Sequence, residues 1–317
     1  MRGLPPLPKE SIITKHIFSI IAICVLACRK ESSIELPVQP GNPPTKPVDS
    51  TKKPIDTTKK PIDSTKKPID TGFIETKPPL LIPVHDSINS DIGGYYVGLP
   101  THYDSFPAKK YPLLLFLCGA GVYGNGSDTS LPKMLKEAIP LLLKQKVFPP
   151  DFLVGGKHYS FIVMMPQFKE YPDNPSIAMD ALNVAKAKYR IDESRIYVTG
   201  ISLGSVAAGY LCAANPSMYA AMVPIAGIQL DTPEVQNMVN GNLPVWAFHN
   251  NDDHKIDVNT TKDFVSLYNS LNPAIPARLT LFPPYGTLNH DAWTKAMNPS
   301  YKENGMNIYE WMLQYSR

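Results

Sequence analysis

The chain is 317 residues long, enough for one large domain or two small ones, and its 43% of hydrophobic residues suffices for a packed core. Its formal net charge of +3 is unevenly placed: residues 1–77 carry 13 Lys and Arg against 8 Asp and Glu, whereas the remainder carries 18 against 20. The basic excess belongs to the N-terminal segment, and a faintly acidic globular part excludes a surface that tracks nucleic-acid phosphates, which needs clustered positive charge.

In chain order, the first element is an export signal at residues 1–27. Basic residues up to Lys15 precede the apolar run Ile17–Ala27. That run is shorter than the roughly 20 residues a membrane-spanning helix needs, and it suits the core of a signal peptide. The stretch Val25-Leu26-Ala27-Cys28 resembles the lipobox of bacterial lipoproteins, with Val25 where leucine is usual. The resemblance implies acylation of Cys28 and a lipid-anchored protein of the bacterial cell envelope, at the outer membrane or cell surface. A plain secretory signal is the alternative. Cys24 leaves with the signal, so the mature domain keeps Cys118 and Cys212, one at a strand end and one along a helix, and no disulfide is expected.

Residues 28–80 form a linker. From Lys46 to Thr71 the sequence repeats every seven residues, as KPVDST, KKPIDTT, KKPIDST and KKPIDT. A heptad invites a coiled coil, but a proline in each repeat costs a helix about 3 kcal/mol and removes a backbone donor. One Ile per repeat also leaves nothing to bury. The segment reads as a solvated, polyproline-like tether, with a wall-binding stalk as the other reading.

The folded domain is expected over residues 81–317. Candidate strands are Gly94–Gly98, Leu113–Leu117, Phe161–Met165, Arg195–Thr199, Ala221–Ile225, Val245–Phe248 and Arg278–Phe282. Several are continuous apolar runs, the mark of strands buried on both faces of a parallel sheet. Helical patterns at Leu131–Lys144, Ser176–Tyr189, Leu203–Ala213, Asn259–Leu271 and Met306–Gln314 alternate with them. The alternation predicts an α/β fold with a mostly parallel central sheet and right-handed crossovers.

Chemistry in such a sheet collects at the carboxyl ends of the strands. The sequence Gly200-Ile-Ser-Leu-Gly204 places Ser202 between a strand and a helix, the setting a G-x-S-x-G nucleophile turn requires. A serine hydroxyl is inert without a base. His16 lies in the signal, and His85, His102 and His158 precede the serine in loops or at edges. His249, His254 and His290 follow it, and His290 lies after the last strand and before a helix. The acid is expected after a strand that follows the nucleophile's, and Pro244-Val-Trp-Ala-Phe-His-Asn-Asn-Asp-Asp253 provides it. The order Ser202, Asp253, His290 is that of an α/β-hydrolase. The rival motif Gly119-Ala-Gly-Val-Tyr-Gly124 has the spacing of a dinucleotide loop, but turn-rich Asn125-Gly-Ser-Asp-Thr-Ser130 follows it, and the next strand ends in Gln167 rather than an acid. No metal-ligand spacing appears, and no cofactor is expected.

Six blocks then carry a family resemblance. Tyr111-Pro-Leu-Leu-Leu-Phe-Leu-Cys-Gly-Ala-Gly-Val-Tyr-Gly124 is similar to the PLLLFLHGAGERG run of polyhydroxybutyrate-depolymerase-like and feruloyl-esterase-like α/β-hydrolases. Phe161–Gln167, Arg195–Gly204, Ala221–Gly227, Val245–His249 and His290–Trp293 resemble later blocks of the same family, in the same order. The likeness implies an α/β-hydrolase fold with helices on both faces of the sheet. It also implies Ser202 as nucleophile, His290 as base and Asp253 as its orienter, the amides of Leu203, Ala120 and Gly121 forming the oxyanion hole. Cys118 stands where the family has histidine, Ser205 where a second glycine is common, and Asn250-Asn251 in place of Gly-Asp. A nucleophilic Cys118 is a rival to the serine. Trp293 and Tyr123 are candidates to line an acyl or aromatic-acid pocket, with simple packing as the alternative.

The function expected is a serine carboxylic-ester hydrolase for extracellular short-acyl or aromatic esters, including polysaccharide-linked ones. A serine peptidase of the same fold and a non-catalytic envelope-binding lipoprotein are the alternatives.

Overall fold

Continuous apolar runs become a single eight-stranded sheet. In the computed structural model, residues 73–284 and 289–317 are described; the export signal, Cys28 and the Lys46–Thr71 repeats lie outside them. Among the described residues, ten strands follow in chain order: β1 Leu80–Val84, β2 Ile92–Leu99, β3 Tyr111–Leu117, β4 Phe152–Val154, β5 Lys157–Tyr159, β6 Ile162–Phe168, β7 Ile191–Ile201, β8 Ala221–Ile225, β9 Trp246–Asn250 and β10 Arg278–Phe282. The large sheet runs β1-β2-β6-β3-β7-β8-β9-β10, and β4 and β5 make a separate hairpin. Among the described strands of the large sheet, only the β1–β2 and β2–β6 pairings are antiparallel. The others are parallel. Every residue of β3, β6, β8 and β9 is buried, as strands covered on both faces must be.

The helices are α1 Ala138–Lys144, α2 Pro175–Lys188, α3 Leu203–Ala214, α4 Thr232–Asn240, α5 Val258–Ser270, α6 Trp293–Ala296 and α7 Ile308–Met312. Side-chain alternation shows that they cover both faces. A Cβ on Gly200 would lie 2.3 Å from the Gly204 carbonyl, so that residue of β7 faces α3. Tyr197, three residues back, therefore points the other way. Its ring meets Phe161, and Phe161 meets Tyr309 of α7.

Two expectations change. The helix predicted over Leu131–Lys144 is a 3-10 segment, Leu131–Lys136, followed by α1, with Glu137 extended and Ala138 at φ +55° between them. Pro140 is the cause: it offers no N–H, and its ring would strike the Lys136 carbonyl in a continuous helix. The domain also packs from further back than residue 81. Phe73 contacts the rings of His102 and Phe106. The buried Glu75 accepts hydrogen bonds from the His102 amide and ring.

Candidate active site

Strand β7 ends at Ile201, and the chain turns straight into α3 through Ser202. The serine sits at φ +52°, ψ −128°, a region that L-residues avoid and that costs on the order of 1–3 kcal/mol. Its amide donates to the Ile225 carbonyl of β8 at 3.0 Å, which helps hold the turn. Close crossing of strand and helix explains both flanking glycines: beside the contact at Gly200, a Cβ on Gly204 would lie 2.2 Å from the Leu117 carbonyl oxygen. The strain and the tight crossing project one hydroxyl at the carboxyl edge of the sheet.

His290 reaches that hydroxyl. Its Nε2 lies 2.9 Å from Ser202 Oγ, and its Nδ1 donates to Asp253 Oδ2 at 2.7 Å. The serine and histidine are buried, and the Asp253 side chain is wholly so. Burial acts to raise the Asp253 pKa. Hydrogen bonds from His249 and His290 outweigh it and hold the carboxyl well below the usual range. The acid in contact is Asp253 and not its neighbour: Asp252 Oδ1 is buried with no hydrogen-bond partner. Asn250 Nδ2 donates to the Asn289 carbonyl at 2.8 Å, pinning the residue before His290 to the end of β9.

The loop after β3 closes over the serine. A Cβ on Gly119 would lie 3.4 Å from Ser202 Cβ. Ala120 and Gly121 follow in a 3-10 turn, Ala120–Val122. Leu203 opens α3, so its amide has no acceptor within the helix. These three amides are the donors expected to face an oxyanion.

Gln167, at the end of β6, is a residue whose part the sequence did not disclose. Its fully buried amide accepts from the Gly126 amide (2.9 Å) and the Ser130 hydroxyl (3.2 Å), and donates to the carbonyls of Val122 (2.9 Å) and Ser130 (2.8 Å). One side chain thus ties the loop after β3 to the following turn. The signal available was a lone polar residue closing an apolar strand.

Most other candidates lie away from the reacting groups, and two touch them without replacing them. Cys118 is buried, its thiol directed at the Pro166 carbonyl 3.8 Å away, and burial pushes its pKa up to about 12, the opposite of a nucleophilic thiolate. Cys212 is likewise a buried free thiol. His85, His102 and His158 face Asp128, Glu75 and Asp151, and His254 is exposed. His249 packs on Asp253 itself. Trp293 meets the His290 ring edge-on at 5.2 Å, and Tyr123 is half-buried against the core. The glycines 119, 121 and 124 lie in and around a 3-10 turn, Ala120–Val122, not at the start of an α-helix. Among the described residues no group of three or more His, Cys, Asp or Glu could hold a metal ion.

Comparison with known proteins adds to this geometry. The phospholipase/carboxylesterase family profile matches residues 174–303, which include Ser202, Asp253 and His290. No curated protein matches the sequence. Among solved structures, a thermostable esterase is similar at 24% identity over 76% of this chain, with a TM-score of 0.55. The chain spans 64% of that esterase's length. An S-formylglutathione hydrolase from Staphylococcus aureus is similar at 12% identity, over 76% of this chain and all of that one, with a TM-score of 0.49. A ferulic acid esterase is similar at 14% identity, over 71% of this chain and 96% of that one, with a TM-score of 0.48. Sheet order, the turn at Ser202 and the likeness to the thermostable esterase together assign the chain an α/β-hydrolase fold.

Proposed function

We propose that the chain is a serine carboxylic-ester hydrolase. The observation that carries this reading is the relay from Ser202 Oγ through His290 to Asp253, with contacts of 2.9 and 2.7 Å. Ser202 Oγ attacks the ester carbonyl carbon while His290 Nε2 takes the hydroxyl proton. The carbonyl oxygen becomes an oxyanion received by the amides of Leu203, Ala120 and Gly121. Collapse breaks the C–O bond to the alcohol, which leaves with the proton from His290. Water then attacks the acyl-serine, giving its proton to the same nitrogen, and the acid departs as Ser202 is reprotonated. Asp253 keeps the hydrogen of neutral His290 on Nδ1, so Nε2 is free to accept.

A fluorophosphonate probe should label Ser202 and abolish hydrolysis of p-nitrophenyl acetate. Ser202→Ala should be unlabelled and turn over at least about 10⁴-fold more slowly. An unlabelled wild type would return the chain to the non-catalytic, envelope-binding reading.

The substrate class proposed is short-acyl or aromatic esters outside the cell, including those on polysaccharide. It rests on the export signal and on the feruloyl-esterase-like blocks. Cleavage of long-chain triglycerides, with acetylated and feruloylated glycans untouched, would refute it. Membrane attachment through acylated Cys28 rests on Val25-Leu26-Ala27-Cys28. Cys28→Ser should release the protein from the membrane fraction with its esterase rate unchanged. Retention of that variant in the membrane would count against the anchor.

A further inference from the structure

Asp253 serves two histidines. Its Oδ2 accepts from His290 Nδ1 at 2.7 Å and from His249 Nε2 at 3.0 Å. Its Oδ1 accepts from the amides of Lys255 at 2.8 Å and Ile256 at 3.1 Å. Four N–H donors therefore converge on one buried carboxylate, and the side chain has no free rotation left. The mechanism above uses one of them.

His249 is fully buried at the end of β9. Its Nε2 lies 3.1 Å from the Ile256 carbonyl as well as 3.0 Å from Asp253, so this nitrogen faces two acceptors and carries a hydrogen. Its Nδ1 lies 2.8 Å from the hydroxyl of Thr261 on α5, which is buried too. A hydroxyl can donate there, so a neutral ring satisfies both nitrogens without burying a second cation. Its strand partner on β10 is Leu281, and the residue beyond β8 that bonds to β9 is Ala226, both without charge. The titratable groups around it come from the loop after β9, where Asp252, His254, Lys255 and Asp257 flank Asp253, and from His290 with its neighbour Asp291. Among the described residues, Asp253 is the titratable group hydrogen-bonded to His249.

We propose that His249 is a positioning residue for ester hydrolysis: by sharing Oδ2 of Asp253 with His290, it fixes the carboxylate's rotation and limits how strongly that oxygen holds the His290 proton. The inference rests on the reading of Ser202, His290 and Asp253 as the reacting set. A hydrogen bond to a carboxylate disperses its charge. Without the His249 N–H, Oδ2 keeps more charge for His290 and stabilises the imidazolium. Since His290 must be neutral to take the serine proton, loss of that N–H moves the acid limb of kcat/KM to higher pH. A residue that merely filled space would lower the rate at every pH and leave the limb in place.

The test compares His249→Phe, which has no donor, with His249→Gln, whose side-chain amide can supply one. Full-length protein is assayed with p-nitrophenyl acetate across the pH profile, with thermal melts and fluorophosphonate labelling in parallel. His249→Phe should raise the acid-limb midpoint by about one pH unit and lower kcat roughly tenfold. His249→Gln should restore the wild-type midpoint and most of the rate. If His249→Phe proves unfolded, Thr261→Val, which loosens the hold on the Nε2-protonated ring, should shift the limb the same way by less. An unmoved limb in the folded variants overturns the inference, as does a Gln variant indistinguishable from Phe. Failure of wild-type Ser202 to label refutes instead the reading beneath it.

Discussion

Asp253→Asn is expected to lower kcat by about 10⁴-fold, the scale seen when a triad acid is replaced by its amide, whereas Asp252→Asn should cost less than about threefold. The asymmetry follows from hydrogen-bond direction. Asp253 accepts four N–H groups and donates none. An amide must set its own NH₂ against either the two histidines or the two backbone amides, donor against donor. If the NH₂ faces His290, the ring turns to its other tautomer, with hydrogen on Nε2, and Ser202 loses its base. Asp252 Oδ1, by contrast, has no hydrogen-bond partner to lose. Steady-state kinetics of the two variants decide the matter, and the reverse ranking would make Asp252 the acid. Stability responds as well. Burial acts against the Asp253 charge, but the two histidines hold its pKa well below the usual range. Its charged form therefore stabilises the fold above the unfolded carboxylate value near about 4. That contribution is lost as pH falls through the lower folded value. Asp253→Asn should accordingly melt earlier at neutral pH, with the difference from wild type narrowing in strong acid.

Gly204→Ala should be among the most damaging single-methyl changes in the domain. In an ordinary helix interior, alanine is more favourable than glycine by about 1 kcal/mol. Here the sign reverses. The new Cβ would stand 2.2 Å from the Leu117 carbonyl oxygen and 2.4 Å from that of Cys118, and both are backbone atoms that cannot swing aside. The first turn of α3 must lift off β3 and carry Ser202 and the Leu203 amide with it. Overpacking of this kind costs about 1–3 kcal/mol or more, so a fall in melting temperature of roughly 4–10 °C is expected, with esterase rate lost even in folded protein. Ser205→Ala, one residue on, supplies the contrast. Its hydroxyl is buried without a partner, so its removal should leave stability level or improve it. A Gly204→Ala protein that melts and turns over like wild type would mean that the elbow tolerates the separation.

Much of this could be read along the chain, because burial on both faces writes itself as a run of apolar residues. All seven expected strands form, since β-branched and aromatic runs such as Phe161–Met165 suit one pleated, covered surface. Edge elements left weaker traces. β1 is half-exposed and holds Pro83, and the β4–β5 hairpin has three residues per strand around Gly155-Gly156. The break in the helix at Glu137 was written in Pro140, yet the apolar spacing masked it.

The candidate site divides the same way. Ser202 was legible because its constraint is local: two glycines, a strand before and a helix after. The order of Ser202, Asp253 and His290 along the chain was legible because each follows its own strand in an alternating α/β pattern. Choosing between Asp252 and Asp253 on physical grounds required the three-dimensional arrangement, because only the turn after β9 decides which carboxylate enters the interior. The clamps formed by Gln167 on Val122, Gly126 and Ser130, and by His249 on Asp253 and Thr261, were invisible beforehand. Periodicity reports which side of a strand or helix is buried, whereas these contacts join the ends of different elements, whose meeting is set by how the sheet and its helices pack.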